Sequence, residues 1–405
     1  MGRGRLREGT WLSGRAAIVG IGHTPWGKRG EHAAKGHLRL VVEAVTRACE
    51  DAGISPKEVD GYSSYVTNID PAELFAAFGA KALRFATQTW GGGGGAMGGA
   101  FLNAALAVAS GQADYVVVHK VMTMQGNSRY GQAFANIGQE NPVLGGPMAF
   151  AVPYGLQSPG QMFALAARRH MVKYGTTEDQ FAEVTINARL MAANNPEARF
   201  REPITVEDHH NSAMIADPLR LLDFCMESDY GCAAIVTTAE RAADLRQKPA
   251  YLAGAVGAAP YRYGHALMGS YNMPDEDFAS SGQRVAAEEL YRVSGRGVDD
   301  LDAVMVYDHF TAMAIMSLED FGICPRGEGG PYVADGNLRW GSRLPVNTHG
   351  GNLAEVYAHG MSHVFEAVRQ VRGTAINQVE GAENVLVIAG SSPSPSSGMM
   401  ISGVR

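Results

Sequence analysis

The chain has 405 residues, 46% of them hydrophobic and 19% charged, enough to bury one large core or two of medium size. Its formal net charge of -7, with no Lys/Arg cluster anywhere, argues against a nucleic-acid partner, because phosphate binding needs a basic surface. No apolar run reaches the roughly 18 residues of a membrane span, and the basic start Met1-Gly2-Arg3-Gly4-Arg5 leads into no apolar signal segment, so the expected location is cytoplasmic.

In chain order, Ala16 to Gly22 is a short apolar run closed by glycines and predicts a buried strand. Leu40, Val41, Ala44, Val45 and Ala48 recur at helical spacing, so a helix is expected over Leu38 to Gly53, followed by a new start signal at Ser55-Pro56. Val59 to Val66 reads as a strand and Ala72 to Ala82 as a helix. Phe85 to Trp90 then runs into five glycines, Gly91 to Gly95, a small-residue helix over Ala96 to Ala109 and a strand over Tyr115 to His119. Strands alternating with helices through glycine turns give an α/β fold. From about Met122 to Pro218 strand signals are sparse and helical pieces dominate, Gln161 to Tyr174 and Thr177 to Ala193, which marks a largely helical, substrate-facing insertion. A strand returns at Ala233 to Thr237.

A second half opens at Lys248-Pro249 and repeats the first. The strand Ala253 to Gly257 answers Ala17 to Gly22, and the helix Gly282 to Ser294 answers Leu38 to Gly53. Val298 to Tyr307 mirrors Pro56 to Tyr65, the glycine turn and helix at Gly350 to Arg372 mirror Gly91 to Ala109, and Asn384 to Gly390 mirrors Asp114 to His119. The expected division is 1–248, including the insertion at about 122–218, and 249–405. Equivalent turns of two such halves face each other across a cleft.

The densest chemistry lies in Leu344 to Gly360, where a double glycine (Gly350, Gly351) stands among His349, Tyr357 and His359, just before an amphipathic run from His359 to Arg372. Tyr307-Asp308-His309 forms a second block. By itself, a tyrosine at the end of a strand is most often a packed aromatic. The five glycines lack the Lys-Ser/Thr of a phosphate cradle and read as a close-packed elbow, which also leaves room for a bulky substrate. Cys49, Cys225, Cys232 and Cys324 are too scattered for a disulfide framework or a zinc site, so no metal is expected and the thiols read as buried and structural.

Together these blocks, from Ile18-Val19-Gly20-Ile21-Gly22 through Ala216-Asp217-Pro218-Leu219-Arg220-Leu221-Leu222-Asp223 to the C-terminal loop, resemble the thiolase superfamily in its sterol-carrier-protein thiolase and lipid-transfer-protein branch. The resemblance implies two pseudo-symmetric α/β halves in five layers. The departures carry the functional information. Thiolases place a nucleophilic cysteine at the first elbow, where this chain has Thr89-Trp90-Gly91-Gly92, so the acyl-enzyme of the family cannot form by that route. The Gly-His-Pro block appears as Val356-Tyr357-Ala358, and the Asn-Glu-Ala-Phe or His-Asp-Cys-Phe block as Tyr307-Asp308-His309-Phe310. Two tyrosines at these places look like the steroid side-chain-cleaving aldolases, which pair with a zinc-containing OB-fold (DUF35) protein and split a β-hydroxyacyl-CoA into a ketone and a shorter acyl-CoA.

The resemblance implies Tyr307 and Tyr357 as an acid/base pair, with His309 in support and Asp308 as a structural acceptor or tuning partner. Which tyrosine is base stays open, with a lean to Tyr307 because His309 is close in sequence. His349, His359, Ser391 and Ser392, with Trp90 and Gly91 at the elbow, are the substrate or oxyanion candidates. Coenzyme A is expected as part of the substrate, no covalently bound cofactor, zinc only in the partner, and a homodimer within a heterotetramer. Two other readings stand beside this one, a thiolase-type acyl-CoA enzyme and a non-catalytic acyl-CoA binder.

Overall fold

The computed structural model describes residues 10–91, 93–123, 152–156, 158–261, 274–277, 279–390 and 395–405. Its strands are β1 (Ala16–His23), β2 (Gly27–Lys28), β3 (Gly61–Tyr65), β4 (Phe85–Thr89), β5 (Val116–Met122), β6 (Met214–Ala216), β7 (Leu219–Arg220), β8 (Ser228–Thr238), β9 (Ala250–Ala258), β10 (Ala303–Val306), β11 (Asn384–Ala389) and β12 (Ser396–Ser402). Among the described residues they form one large sheet in the order β10-β11-β12-β9-β1-β8-β5-β3-β4, with β2 beside β8, and a separate β6-β7 pair. From the antiparallel seam of β1 and β9 outward, both runs follow one plan. On one side come β8, β5, β3 and β4, on the other β12, β11 and β10, antiparallel near the seam and parallel at the far end. A parallel bridge between Val304 and Val346 stands where β4 stands in the first run.

Successive side chains of a strand face opposite ways, so a strand buried on both faces feeds two cores. In β11, Val385, Val387 and Ala389 enter a central core and Leu386 and Ile388 an outer one. In β5, Val116 and Val118 enter the same central core while Val117 and Val121 enter the outer core on the other side. The central core is filled by the helix Met97–Ala109 and by the last long helix (Met361–Arg372), through Phe101, Ala104, Val364 and Phe365. The outer core on the β5 side is covered by α1 (His37–Ala52), and that on the β11 side by the helices Arg284–Ser294 and Thr311–Asp320. Five alternating layers result, with the repeat read in the sequence visible as two equivalent runs of strands.

Boundaries differ where backbone geometry outweighs pattern. The helix expected to reach Ala82 spans Pro71–Phe78, because Gly79 at φ 63° takes the left-handed cap. The strand expected over Ala233 to Thr237 starts at Ser228, since the preceding residues keep pairing with β2 and β5. Of the insertion, residues 124–151 and 157 lie outside the described residues. Its helices Pro159–Tyr174 and Glu178–Ala192 each begin in a capping box, Ser158 with Gln161 and Thr177 with Gln180. The second helix docks on the other run: the Asn187 amide donates to the Val346 carbonyl at 3.1 Å, and Asn195, just past its end, to the His349 carbonyl at 2.9 Å. Among the described residues no helix is long and apolar enough to cross a membrane.

Contact between β1 and α1 depends on Gly20, where an added Cβ would lie 2.0 Å from the Ala48 carbonyl oxygen. Gly20→Ala is expected to destabilise the chain by about 1–3 kcal/mol through overpacking. A lowered apparent Tm by calorimetry checks this, and an unchanged Tm would mean that helix and strand part without cost.

Candidate active site

The end of β10 delivers the first tyrosine. Ala303, Met305 and Tyr307 share the face that enters the central core, and the Tyr307 amide donates to the Ile388 carbonyl at 3.0 Å, carrying the strand alignment one residue further. The next residue, Asp308, is 1% exposed and turns its carboxylate to the start of a short helix, Gly351–Ala354. It accepts the Asn352 amide at 2.8 Å and the Leu353 amide at 3.3 Å, and lies 3.2 Å from His363 Nε2. A Cβ on Gly351 would come 2.2 Å from Asp308 Oδ2, which explains the second glycine of the pair.

A bend delivers the second tyrosine. The helix expected from His359 begins at Met361, because His359 (φ 46°) and Gly360 (φ 92°) are both left-handed and break the run. Tyr357 lies in this bend, between the short helix and the long one, and enters the same core as Tyr307. The two hydroxyl oxygens are 3.0 Å apart, with ring centroids at 6.2 Å. The glycine elbow packs onto them: a Cβ on Gly94 would lie 2.4 Å from the Tyr307 ring. At that point the space left by the glycines is taken by the tyrosine rather than kept for a substrate.

Two imidazoles pack on the pair, His309 with its centroid 4.7 Å from that of Tyr307 and His359 at 5.0 Å from that of Tyr357. Burial lowers His309 to about 4 and takes His359 well below its ordinary value, so both are neutral near pH 7. His349 is one layer further back, edge-on to His363 at 4.9 Å. Burial takes His349 well below its usual range and raises Glu355 to about 8, so their 3.8 Å approach joins two neutral groups rather than an ion pair.

A family model described as "Thiolase C-terminal domain-like" matches residues 264–403. Over 394 residues the chain is 42% identical to the 17-hydroxy-3-oxo-4-pregnene-20-carboxyl-CoA lyase of Mycobacterium tuberculosis, covering 96% of this chain and 100% of that protein. It is 41% identical to the steroid side-chain-cleaving aldolase of Thermomonospora curvata, over 97% of this chain and 99% of that one. A solved structure described as an Ltp2-ChsH2(DUF35) aldolase superposes with a TM-score of 0.88 at 40% identity, over 97% of this chain and 99% of that one. The chain belongs to the steroid side-chain-cleaving aldolases of the thiolase superfamily.

In this aldolase the other candidates are dispersed. Trp90 is 64% exposed: β4 ends at Thr89 and the chain turns at Gly91 (φ 109°), leaving the indole at the surface. Gly91 packs on Pro395, where a Cβ would be 2.0 Å from Cγ. Ser391 and Ser392 lie outside the described residues. Sequence reasoning passed over Gly94, hidden in a run of identical neighbours, and Cys225, whose amide donates to the His309 carbonyl at 3.0 Å. Burial, then the Asp308 and Glu227 carboxylates, push the Cys225 thiol well above its ordinary value, which withholds the thiolate a nucleophile needs. Among the described residues no group of three or more His, Cys, Asp or Glu could hold a metal ion.

Intact-mass spectrometry after incubation with an acyl-CoA is therefore expected to show no covalent adduct; an acyl group retained on Cys225 would overturn this. Glu355 gives a pH test. Its folded value, about 8, lies above the ordinary 4.5, so the stability tied to its neutral form is complete below pH 4.5 and is lost as pH rises through 8. Calorimetric Tm of the wild type is expected to fall relative to Glu355→Gln across that window, and parallel curves would refute the neutral carboxyl.

Proposed function

We propose that this aldolase cleaves a β-hydroxyacyl-CoA, a 17-hydroxy steroid side-chain CoA thioester, by retro-aldol reaction to a ketosteroid and propionyl- or acetyl-CoA. The observation that supports this most is the pair of buried hydroxyls 3.0 Å apart at the places where the resemblance implies an acid and a base. A base removes the proton of the β-hydroxyl, and the oxygen lone pair forms the ketone as the Cα–Cβ bond breaks. The bond's electrons pass to the thioester enolate, and an acid returns a proton to its α-carbon. No covalent intermediate is required.

A phenol of pKa ~10 sits ~3 units above neutral pH, so a phenolate costs roughly 4 kcal/mol unless its surroundings favour it. A second hydroxyl at hydrogen-bond distance lowers that cost, because it donates to whichever oxygen carries the charge. Tyr307 is the proposed base, its ring packed on the neutral His309, and Tyr357 the proposed acid. Asp308 serves as positioning acceptor, holding the segments that carry both. The solved relative described with a DUF35 component supports a DUF35 partner for this chain. Zinc in that partner, a homodimer within a heterotetramer and a cytoplasmic location belong to the same proposal.

Incubation with a 17-hydroxy-steroid-20-carboxyl-CoA and the DUF35 partner is expected to release the ketosteroid and propionyl-CoA, followed by chromatography. Tyr307→Phe and Tyr357→Phe, each losing one oxygen, are expected to lower kcat by about 10²–10⁴-fold. Wild-type turnover in both variants would remove the assigned roles.

A further inference from the structure

The proposed reaction passes through two anions, a phenolate and an enolate, yet the imidazoles on the tyrosine pair are neutral and Asp308 adds a negative charge nearby. Among the described residues, one buried cation faces this region from the other run. Lys120, in β5, is 3% exposed, its ammonium donates to the Val66 carbonyl, and none of the ion pairs among the described residues includes it. It lies 5.9 Å from the centroid of the Tyr65 ring. Tyr65 holds the position in β3 that Tyr307 holds after β10, and its hydroxyl donates at 3.0 Å to the carbonyl of His359, in the bend that carries Tyr357. Val66 and His359 both sit at φ 46°, a conformation that a β-branched or bulky residue keeps only when its surroundings hold it. Lys120 binds the carbonyl of one and Tyr65 that of the other. Lys120 also lines a cavity of about 570 Å³ at the carboxyl ends of β3, β4 and β5, with Gly91, Gln88 and Asn68, the end of an α/β sheet where ligands enter.

We infer that Lys120 is the cation of this site, a positioning residue that acts through Tyr65 and the 356–360 bend to favour the anionic form of the tyrosine pair. The inference rests on the acid/base reading of Tyr307 and Tyr357. A charge with no carboxylate partner among the described residues, in surroundings of low effective dielectric, acts over distances at which a surface lysine would be screened. Among the described residues the other titratable groups leave Lys120 this part. Facing it are Tyr65 and Cys232, whose burial keeps phenol and thiol protonated; His119 beside it and His359, both neutral through burial; and His37 across the cavity. Facing the tyrosine pair are His309, His359, Asp308 and His363, the last two bound to each other. Burial lowers Lys120 itself only to about 8, so it is mostly charged at neutral pH.

The test is an ultraviolet titration of phenolate absorbance on the intact chain, taken as the difference between wild type and Tyr357→Phe, which reads the pair without substrate or turnover. Lys120→Gln keeps a donor for the Val66 carbonyl and removes the charge; Lys120→Met removes both. Each is expected to move the ionisation of the pair up by about one pH unit, a tenfold loss of phenolate at a fixed lower pH. Lys120→Arg is expected to restore it, and the ascending limb of kcat/KM against pH should follow the same shifts. An ionisation unmoved in either neutral variant that retains its cooperative thermal transition overturns the inference, as does a fall in kcat without that shift, which marks a merely structural lysine. Wild type that titrates as expected but cleaves no β-hydroxyacyl-CoA removes the proposed function and leaves the electrostatic coupling in place.

Discussion

The Asp308 carboxylate gathers three segments onto one charge: the end of β10 that bears Tyr307, the short helix Gly351–Ala354 that precedes Tyr357, and the long helix Met361–Arg372 through His363. Burying a carboxylate is costly unless hydrogen bonds meet it, and here two backbone amides at a helix start and an imidazole do so. The consequence is positional. With strand end and helix start tied to one group, the two phenols have little freedom to separate, and their 3.0 Å contact follows from how the backbone is fastened.

Around this fastening the site combines neutral imidazoles, a neutral carboxyl at Glu355 and aromatic rings, an interior that makes any charge expensive. Such surroundings suit a reaction whose charge exists only briefly, provided something compensates it at that moment. At the glycine elbow the interior is filled by an aromatic ring: the Tyr307 ring packs where a side chain on Gly94 would have to go.

Much of the fold was legible because burial on both faces leaves near-continuous apolar strands, and because one pattern occurs twice. The repeat even paired Tyr65 with Tyr307, although nothing local showed that the Tyr65 hydroxyl reaches the His359 carbonyl. Tyr307 and Tyr357 stood out through the blocks that surround them. What stayed hidden depends on contacts between distant parts of the chain. The left-handed backbone at His359 is imposed by its surroundings rather than by residue type. The placing of Gly94 against one ring cannot be told from its glycine neighbours by composition, and the docking of Asn195 on His349 joins a helical insertion to a turn far along the chain.

The two ends of the large sheet are finished differently. Beyond β10 the chain at 345–347 takes the place of β4, and its outward groups are met, with the Val346 amide donating to the Leu338 carbonyl and the Asn187 amide to the Val346 carbonyl, so that rim is closed. Beyond β4 the described residues place no further strand, and its side chains alternate between half-buried and exposed. With one open rim among the described residues, strand addition there leaves no rim for another copy. Growth by strand addition at the β4 rim of the described residues would therefore end at two copies.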